Sequence, residues 1–118
     1  MMITQEIKKI IENNTIALST CKNNEPYVIA VSCVKVTSET ELIITDNFMK
    51  TTIDNIKQNN NVSLAVWNDN LGYQIRGLAE YYTLGKYLDY VQKIPENKGM
   101  PCKGAIIVKV NNIKKLLG

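Results

Sequence analysis

The sequence predicts a mainly β fold: a small antiparallel barrel, closed or nearly closed, of six strands with about three short helices, in a single domain over residues 1–118. Three observations predict it. Apolar runs of strand length recur along the chain and are joined by short polar turns, which favours antiparallel neighbours. One run, residues 27–36, is apolar on both of its alternating faces. A strand with one wet face should alternate, so both faces of this run must be covered, one by a barrel interior and the other by a helix or a second subunit. Too little of the remaining chain reads as helix to cover an open sheet.

The elements follow in order. Ile3, Ile7, Ile10 and Ile11 recur at helical spacing, so residues 4–13 form a helix that Thr4 can cap. Its polar face carries both signs of charge, which fits a lid on a sheet better than a membrane-surface helix. Residues 15–21 form a strand with Ile16, Leu18 and Thr20 on one face, and residues 22–26 are turn material. The long strand at 27–36 comes next, then a turn at 37–40 and a strand at 41–45. A polar corner, 46–52, leads into a short helix at 53–58 anchored by Ile53 and Ile56. Strands at 62–67 and 73–82 follow, and Gly77 inside the second predicts a bulge or a close backbone approach. Of Tyr81 and Tyr82, one should face the core and the other the surface; Arg76 should pair with Glu80 or a neighbouring strand. Leu84, Leu88 and Val91 give a helix at 84–94, which Pro95 stops. A last strand at 104–110 and a short tail, 111–118, complete the chain.

The corner Asp46-Asn47-Phe48-Met49-Lys50-Thr51-Thr52 is the stretch richest in chemistry. The first amides of a helix lack intrahelical acceptors, and the helix dipole favours negative charge beside them. Lys50 adds a positive charge, and Thr51 and Thr52 add hydroxyls, so a phosphate would suit this corner. The alternative is an ordinary cap, with Asp46, Asn47 or a threonine satisfying the same amides.

Composition narrows the functions. The chain has no histidine, which removes histidine-based acid–base catalysis, Ser-His-Asp and Cys-His nucleophiles and histidine-ligated metals. No metal ligand set and no catalytic residue is assigned. The net charge of +3 is small and Arg76 is the only arginine, which argues against nucleic acid as a partner. Cys21, Cys33 and Cys102 are an odd, widely spaced set, unlike a disulfide framework. With no apolar run of membrane length and no signal-peptide pattern at the start, the expectation is a cytoplasmic protein without a membrane partner.

The chain resembles the FMN-binding split barrels related to pyridoxamine 5′-phosphate oxidase, in particular the short FMN-binding proteins of anaerobic bacteria. The resemblance runs over almost the whole chain. It rests on Ile16-Ala17-Leu18-Ser19-Thr20 with a Glu25-Pro26 turn, the run at 27–36, and the corner Phe48-Met49-Lys50-Thr51 with Asn55 behind it. Asn61-Val62-Ser63-Leu64 and Ile75-Arg76-Gly77-Leu78-Ala79-Glu80 complete it. It implies a six-stranded split barrel that forms a homodimer, with FMN at the subunit interface. It places the phosphate at Lys50 and Thr51, beside Met49. The flat ring would lie along Ala30, Val31 and Ser32 and meet Thr45, Asp46 and Asn47. Trp67, Tyr73, Leu116 and Leu117 are the candidates for closing the site from the partner subunit. Relatives tend to carry glycine where this chain has Asp46 and Asn47, and an acidic Asp46 would repel a phosphate unless it points away or caps the helix. One arginine and no histidine make a true pyridoxamine phosphate oxidase a poor fit.

The resemblance thus implies a small flavoprotein, a reductase, an oxidase or an electron carrier with a small-molecule or protein redox partner. Two readings from other classes stand beside it. One is a non-catalytic dimeric barrel that binds FMN, haem or another flat ligand for storage or sensing. The other is a nucleic-acid-binding barrel. A flavin spectrum, a Soret band and a colourless protein retained on single-stranded DNA separate the three.

Overall fold

All seven strands join one antiparallel sheet, in the order β2-β1-β5-β6-β7-β4-β3. They are β1 (Ile16–Lys22), β2 (Glu25–Val31), β3 (Val34–Ser38), β4 (Glu41–Asp46), β5 (Asn61–Trp67), β6 (Gly72–Tyr82) and β7 (Gly104–Leu117). The helices are α1 (Gln5–Asn13), α2 (Thr51–Gln58) and α3 (Lys86–Gln92), with a 3₁₀ turn at Pro95–Asn97. The computed structural model describes residues 2–118. Within them, no helix is long and apolar enough to cross a membrane.

The sheet curls around an apolar interior but does not close, and its two edges, β2 and β3, are consecutive in the chain. This is a split barrel, with seven strands where six were expected. The extra strand comes from the run at 27–36, which breaks at Ser32 and Cys33. The reason is a matter of parity. Val31 and Val34 are both buried, at 7% and 2% exposure, yet in one continuous strand residues three apart point to opposite faces. The break lets both enter the core while the chain crosses from one edge of the sheet to the other. The Thr45 amide donates to the Cys33 carbonyl at 3.4 Å, which carries the β3–β4 pairing one residue into the break.

The interior is filled by Ile16 and Leu18, Val62, Leu64 and Val66, Ile75, and Ile106 and Val108, with α1 and α2 packed against it through Ile7, Ile10, Ile11, Ile53 and Ile56. Thr4 caps α1, its hydroxyl accepting from the Ile7 amide at 3.2 Å. β4 and β7 read as continuous apolar runs because they are covered twice: Ile43, Ala105 and Ile107 face α3, while Leu42, Ile44, Ile106 and Val108 face the interior. The outward face of β2 is different. Val28 is 64% exposed and Ala30 beside it on that face is open too, so nothing among the described residues covers the second face predicted to be covered.

Gly77 is the predicted bulge. The β6–β7 register shifts between Arg76 and Gly77, and a Cβ at Gly77 would collide with the Lys109 carbonyl and approach Val108 Cγ1 to 2.7 Å. Four expectations need correction. The predicted tail is strand: β7 continues to Leu117 because the long β6 needs a partner down to Gly72, which pairs with Leu117. Leu84 is 77% exposed and precedes α3, which starts only after Gly85 at φ +89°. Tyr81 and Tyr82 are both half-buried, one against the interior and the other against α3, where its ring lies 4.9 Å from that of Tyr87. Arg76 is exposed and makes no ion pair among the described residues; the pairs there are Lys35–Glu96 and Lys109–Glu41.

Candidate functional site

The gap in the barrel opens into a groove of about 470 Å³ between the end of β2 and the β4–α2 corner. That volume lies within the range of about 300–1,000 Å³ usual for small-molecule sites. Ala30, Val31 and Ser32 line one wall; Thr45, Asn47, Met49, Lys50 and Thr51 line the other. The fold therefore brings these eight candidates together, although nineteen or so residues of chain separate Ser32 from Thr51.

The corner is built from behind. Asp46 is fully buried, and its carboxylate turns away from the groove. One of its oxygens accepts from the Met49 amide at 2.8 Å and the other from the Tyr81 hydroxyl at 2.5 Å. Burial, then the bond to Asp46, holds the Tyr81 phenol well above its ordinary range. The Asp46 carbonyl accepts from the Lys103 amide, and Lys103 Nζ donates to the Met49 carbonyl, both at 2.9 Å. The Asn47 side chain reaches out of the corner too, its oxygen accepting from the Cys102 amide at 2.8 Å.

The cap reading of the corner fails on these bonds. Lys50 is the N-cap residue of α2, and no side chain among the described residues caps the helix. Asp46 and Asn47 spend their oxygens on Met49, Tyr81 and Cys102 instead. The first turn of α2 thus faces the groove with amides that no side chain satisfies, beside the exposed Lys50 and Thr51. Such a terminus is a ready anion site. The concern over Asp46 is answered by its direction: it points away.

The remaining candidates lie elsewhere. Asp46 braces the corner and does not line the groove. Trp67, half-exposed, sits in a shallow apolar hollow with Ala17, Val28 and Ala30 on the outward face of the sheet. Leu117, 49% exposed, stands opposite Gly72 at the far end of β7. Tyr73 is a correction: it is 8% exposed, packs in the interior and donates to Glu6 Oε1 at 3.1 Å, so its ring is not available to a partner subunit. Thr52, read from the sequence as a hydroxyl of the corner, also lines the groove, whereas sequence reasoning missed Tyr27, Ile29, Cys33, Phe48 and Met100 as groove residues. The motif contained Phe48, but Met100 arrives on a loop from the other end of the chain, and no local signal announces it.

Comparison with known proteins agrees with this geometry. The model of the pyridoxamine 5′-phosphate oxidase family matches residues 3–116. An uncharacterised protein of Methanocaldococcus jannaschii is 33% identical over 97% of this chain and 80% of its own length. The solved structure of HupZ from Group A Streptococcus is 27% identical, covers 99% of this chain and 96% of its own, and superposes with a TM-score of 0.91. An FMN-binding protein of Syntrophomonas wolfei shares the fold at 17% identity and a TM-score of 0.75, covering 95% of this chain and 87% of its own.

Proposed function

Because the chain belongs to the pyridoxamine 5′-phosphate oxidase family, we propose that it is a small FMN-binding flavoprotein that passes hydride or electrons as a reductase, an oxidase or a carrier. The observation that carries the proposal is the uncapped first turn of α2, which meets Lys50 and Thr51 in the same groove as the end of β2. The residues fit the cofactor. Lys50, Thr51 and the α2 amides would hold its phosphate. Ala30, Val31 and Ser32 would offer the ring a strand edge with free backbone groups, since β2 pairs only on its β1 side. Thr45 and Asn47 would meet the ring from across the gap. FMN, when bound, supplies the redox chemistry, so the lack of histidine is no obstacle. The protein's part is to orient the ring and control access to it.

Pyridoxamine phosphate itself suits this groove badly. A second phosphate would need a second cation, and Arg76 lies outside the groove, in a separate hollow with Ser19, Asn61 and Ser63. The working unit is proposed to be a homodimer. Val28 and Trp67 flank the small, cross-strand-paired residues Ala30, Ala17 and Ala65 on the outward face of the sheet, a surface suited to a second copy. Sedimentation equilibrium tests this; a species of one chain's mass that still binds FMN would exclude the dimer.

The phosphate site is tested by calorimetric titration of wild type and Lys50→Ala with FMN and with riboflavin. A charge-assisted hydrogen bond is worth about 1.5–3 kcal/mol, so the variant should bind FMN roughly ten- to a hundred-fold more weakly. Riboflavin has no phosphate to lose, and its affinity should change much less. An unchanged preference for FMN over riboflavin would show that Lys50 is only a solvated side chain.

A further inference from the structure

Among the described residues, Lys50 is the only one lining the groove that carries a full charge at neutral pH. The same groove has an apolar rim. Phe48, Met100 and Tyr27 all line it and are 75%, 42% and 39% exposed. Phe48, the only phenylalanine, stands on a pinned backbone. Asn47 before it is tied to Cys102, and Met49 after it is tied to Asp46 through its amide and to Lys103 through its carbonyl. The same bonds fix the loop that carries Met100. Scattered apolar side chains on a surface need no explanation, but three around one concavity with a pinned backbone do.

We propose that Tyr27, Phe48 and Met100 form a second subsite of this groove, which takes a neutral, flat aromatic molecule of the quinone class. The inference rests on the flavin reading, because the floor on which such a molecule would stack is the flavin ring. Two aromatic side chains favour a flat ring by offset or edge contacts, and a methionine adapts to its outline. Charge excludes the competitors. With Lys50 committed to a phosphate, the carboxylate or phosphate of an acidic substrate would lose water and find no cation. A quinone carbonyl asks only for a neutral donor. Ser32, exposed at the break between β2 and β3, has a hydroxyl to give.

The experiment titrates the FMN-loaded protein calorimetrically with menadione, a neutral naphthoquinone, and with a sulfonated naphthoquinone of the same ring system. Menadione should bind about tenfold more tightly than the sulfonate. Phe48→Ala should weaken menadione roughly two- to tenfold, the scale of one aromatic contact, and Met100→Ala should weaken it less. FMN affinity should stay within about twofold in both variants, because neither side chain is asked to hold the phosphate. The preceding FMN titration reads the flavin proposal alone. A protein that takes up FMN but binds both quinones equally, or binds menadione unchanged after Phe48→Ala, keeps the flavin and loses the subsite. If Phe48→Ala alters the sedimentation mass and leaves menadione affinity intact, the rim belongs to a second copy and the proposal is wrong. A protein that takes up no FMN has no floor for the stack, and both proposals fall.

Discussion

The β4–α2 corner has two sides that contrast at every level. On the inward side each polar group has a partner: Asp46 holds Met49 and Tyr81, Asn47 holds the Cys102 amide, and Lys103 closes on Met49. On the outward side Lys50 and Thr51 are exposed, α2 begins without a side-chain cap, and Phe48 leaves three quarters of its surface open. Within a few residues of chain the fold satisfies one set of groups completely and leaves the other set free. Stability explains the first set and offers no reason for the second. A short segment braced from behind and unsatisfied in front is what a ligand site requires, because the open groups are then held in place before the ligand arrives.

The largest expected effect breaks the inward side. Gly104 lies beneath Tyr81, and a Cβ there would run into the tyrosine ring. The ring cannot move without leaving a buried carboxylate oxygen of Asp46 unpaired. Gly104→Ala should therefore cost about 3 kcal/mol or more, combining overpacking with a lost hydrogen bond to a charged group. Urea unfolding measures it. A loss below about 0.5 kcal/mol would mean that the inward side is far looser than its distances suggest.

A smaller effect sharpens the contrast between neighbours. Asn47→Ala removes the acceptor of the Cys102 amide and should cost about 1–2 kcal/mol. Lys50→Ala, three positions on, should stay within about 0.5 kcal/mol of wild type because the side chain is exposed and makes no ion pair among the described residues. Thermal or urea denaturation of the two variants side by side is the check. Equal losses would erase the distinction between the two sides.

The same contrast marks how far the sequence could be read. Periodicity located α1, β1, β5 and β6 to within a residue or two, because each has one apolar face and polar ends, and β4 was located as a short apolar run bounded by polar turns. It joined β2 to β3, because a run apolar on both faces contains no mark of the point where the chain changes edges. It cut β7 short at residue 110, since the polar half of that strand is paired by backbone alone and its side chains lie mostly in water. At the site, the outward groups were legible: a lysine, two threonines and a helix start adjoin in sequence. The bracing groups were not. Tyr81, Cys102 and Lys103 reach the corner across 35 residues or more of chain, and Asp46 read as a cap or a repulsive charge because its partner was out of sight.

The smallest expected effect is a change of slope at high pH, and it isolates the Tyr81–Asp46 contact. In the folded chain the Tyr81 phenol titrates above the ordinary value of 10, first because it is buried and then because its proton is shared with Asp46. A group whose folded pKa is raised contributes stability that is fully present below the unfolded pKa. That contribution is lost as pH rises through the folded pKa, because the unfolded chain releases a proton that the folded chain keeps. Wild type should therefore lose stability progressively from about pH 10 upward. At half a unit above 10 the Tyr81 share is under about 1 kcal/mol, an upper bound that solvent around the half-exposed ring reduces. Tyr81→Phe should be less stable at every pH, since the Asp46 oxygen loses its donor, yet its alkaline limb should be shallower by one proton's worth. The limb should not vanish, because Tyr73 and Tyr82 are also raised, each chiefly by burial. Urea midpoints of wild type and Tyr81→Phe between pH 9 and about 11 give the two slopes. Parallel limbs would mean that Tyr81 ionises as freely in the folded chain as in the unfolded one. The hydrogen bond behind the corner would then be too weak to hold it.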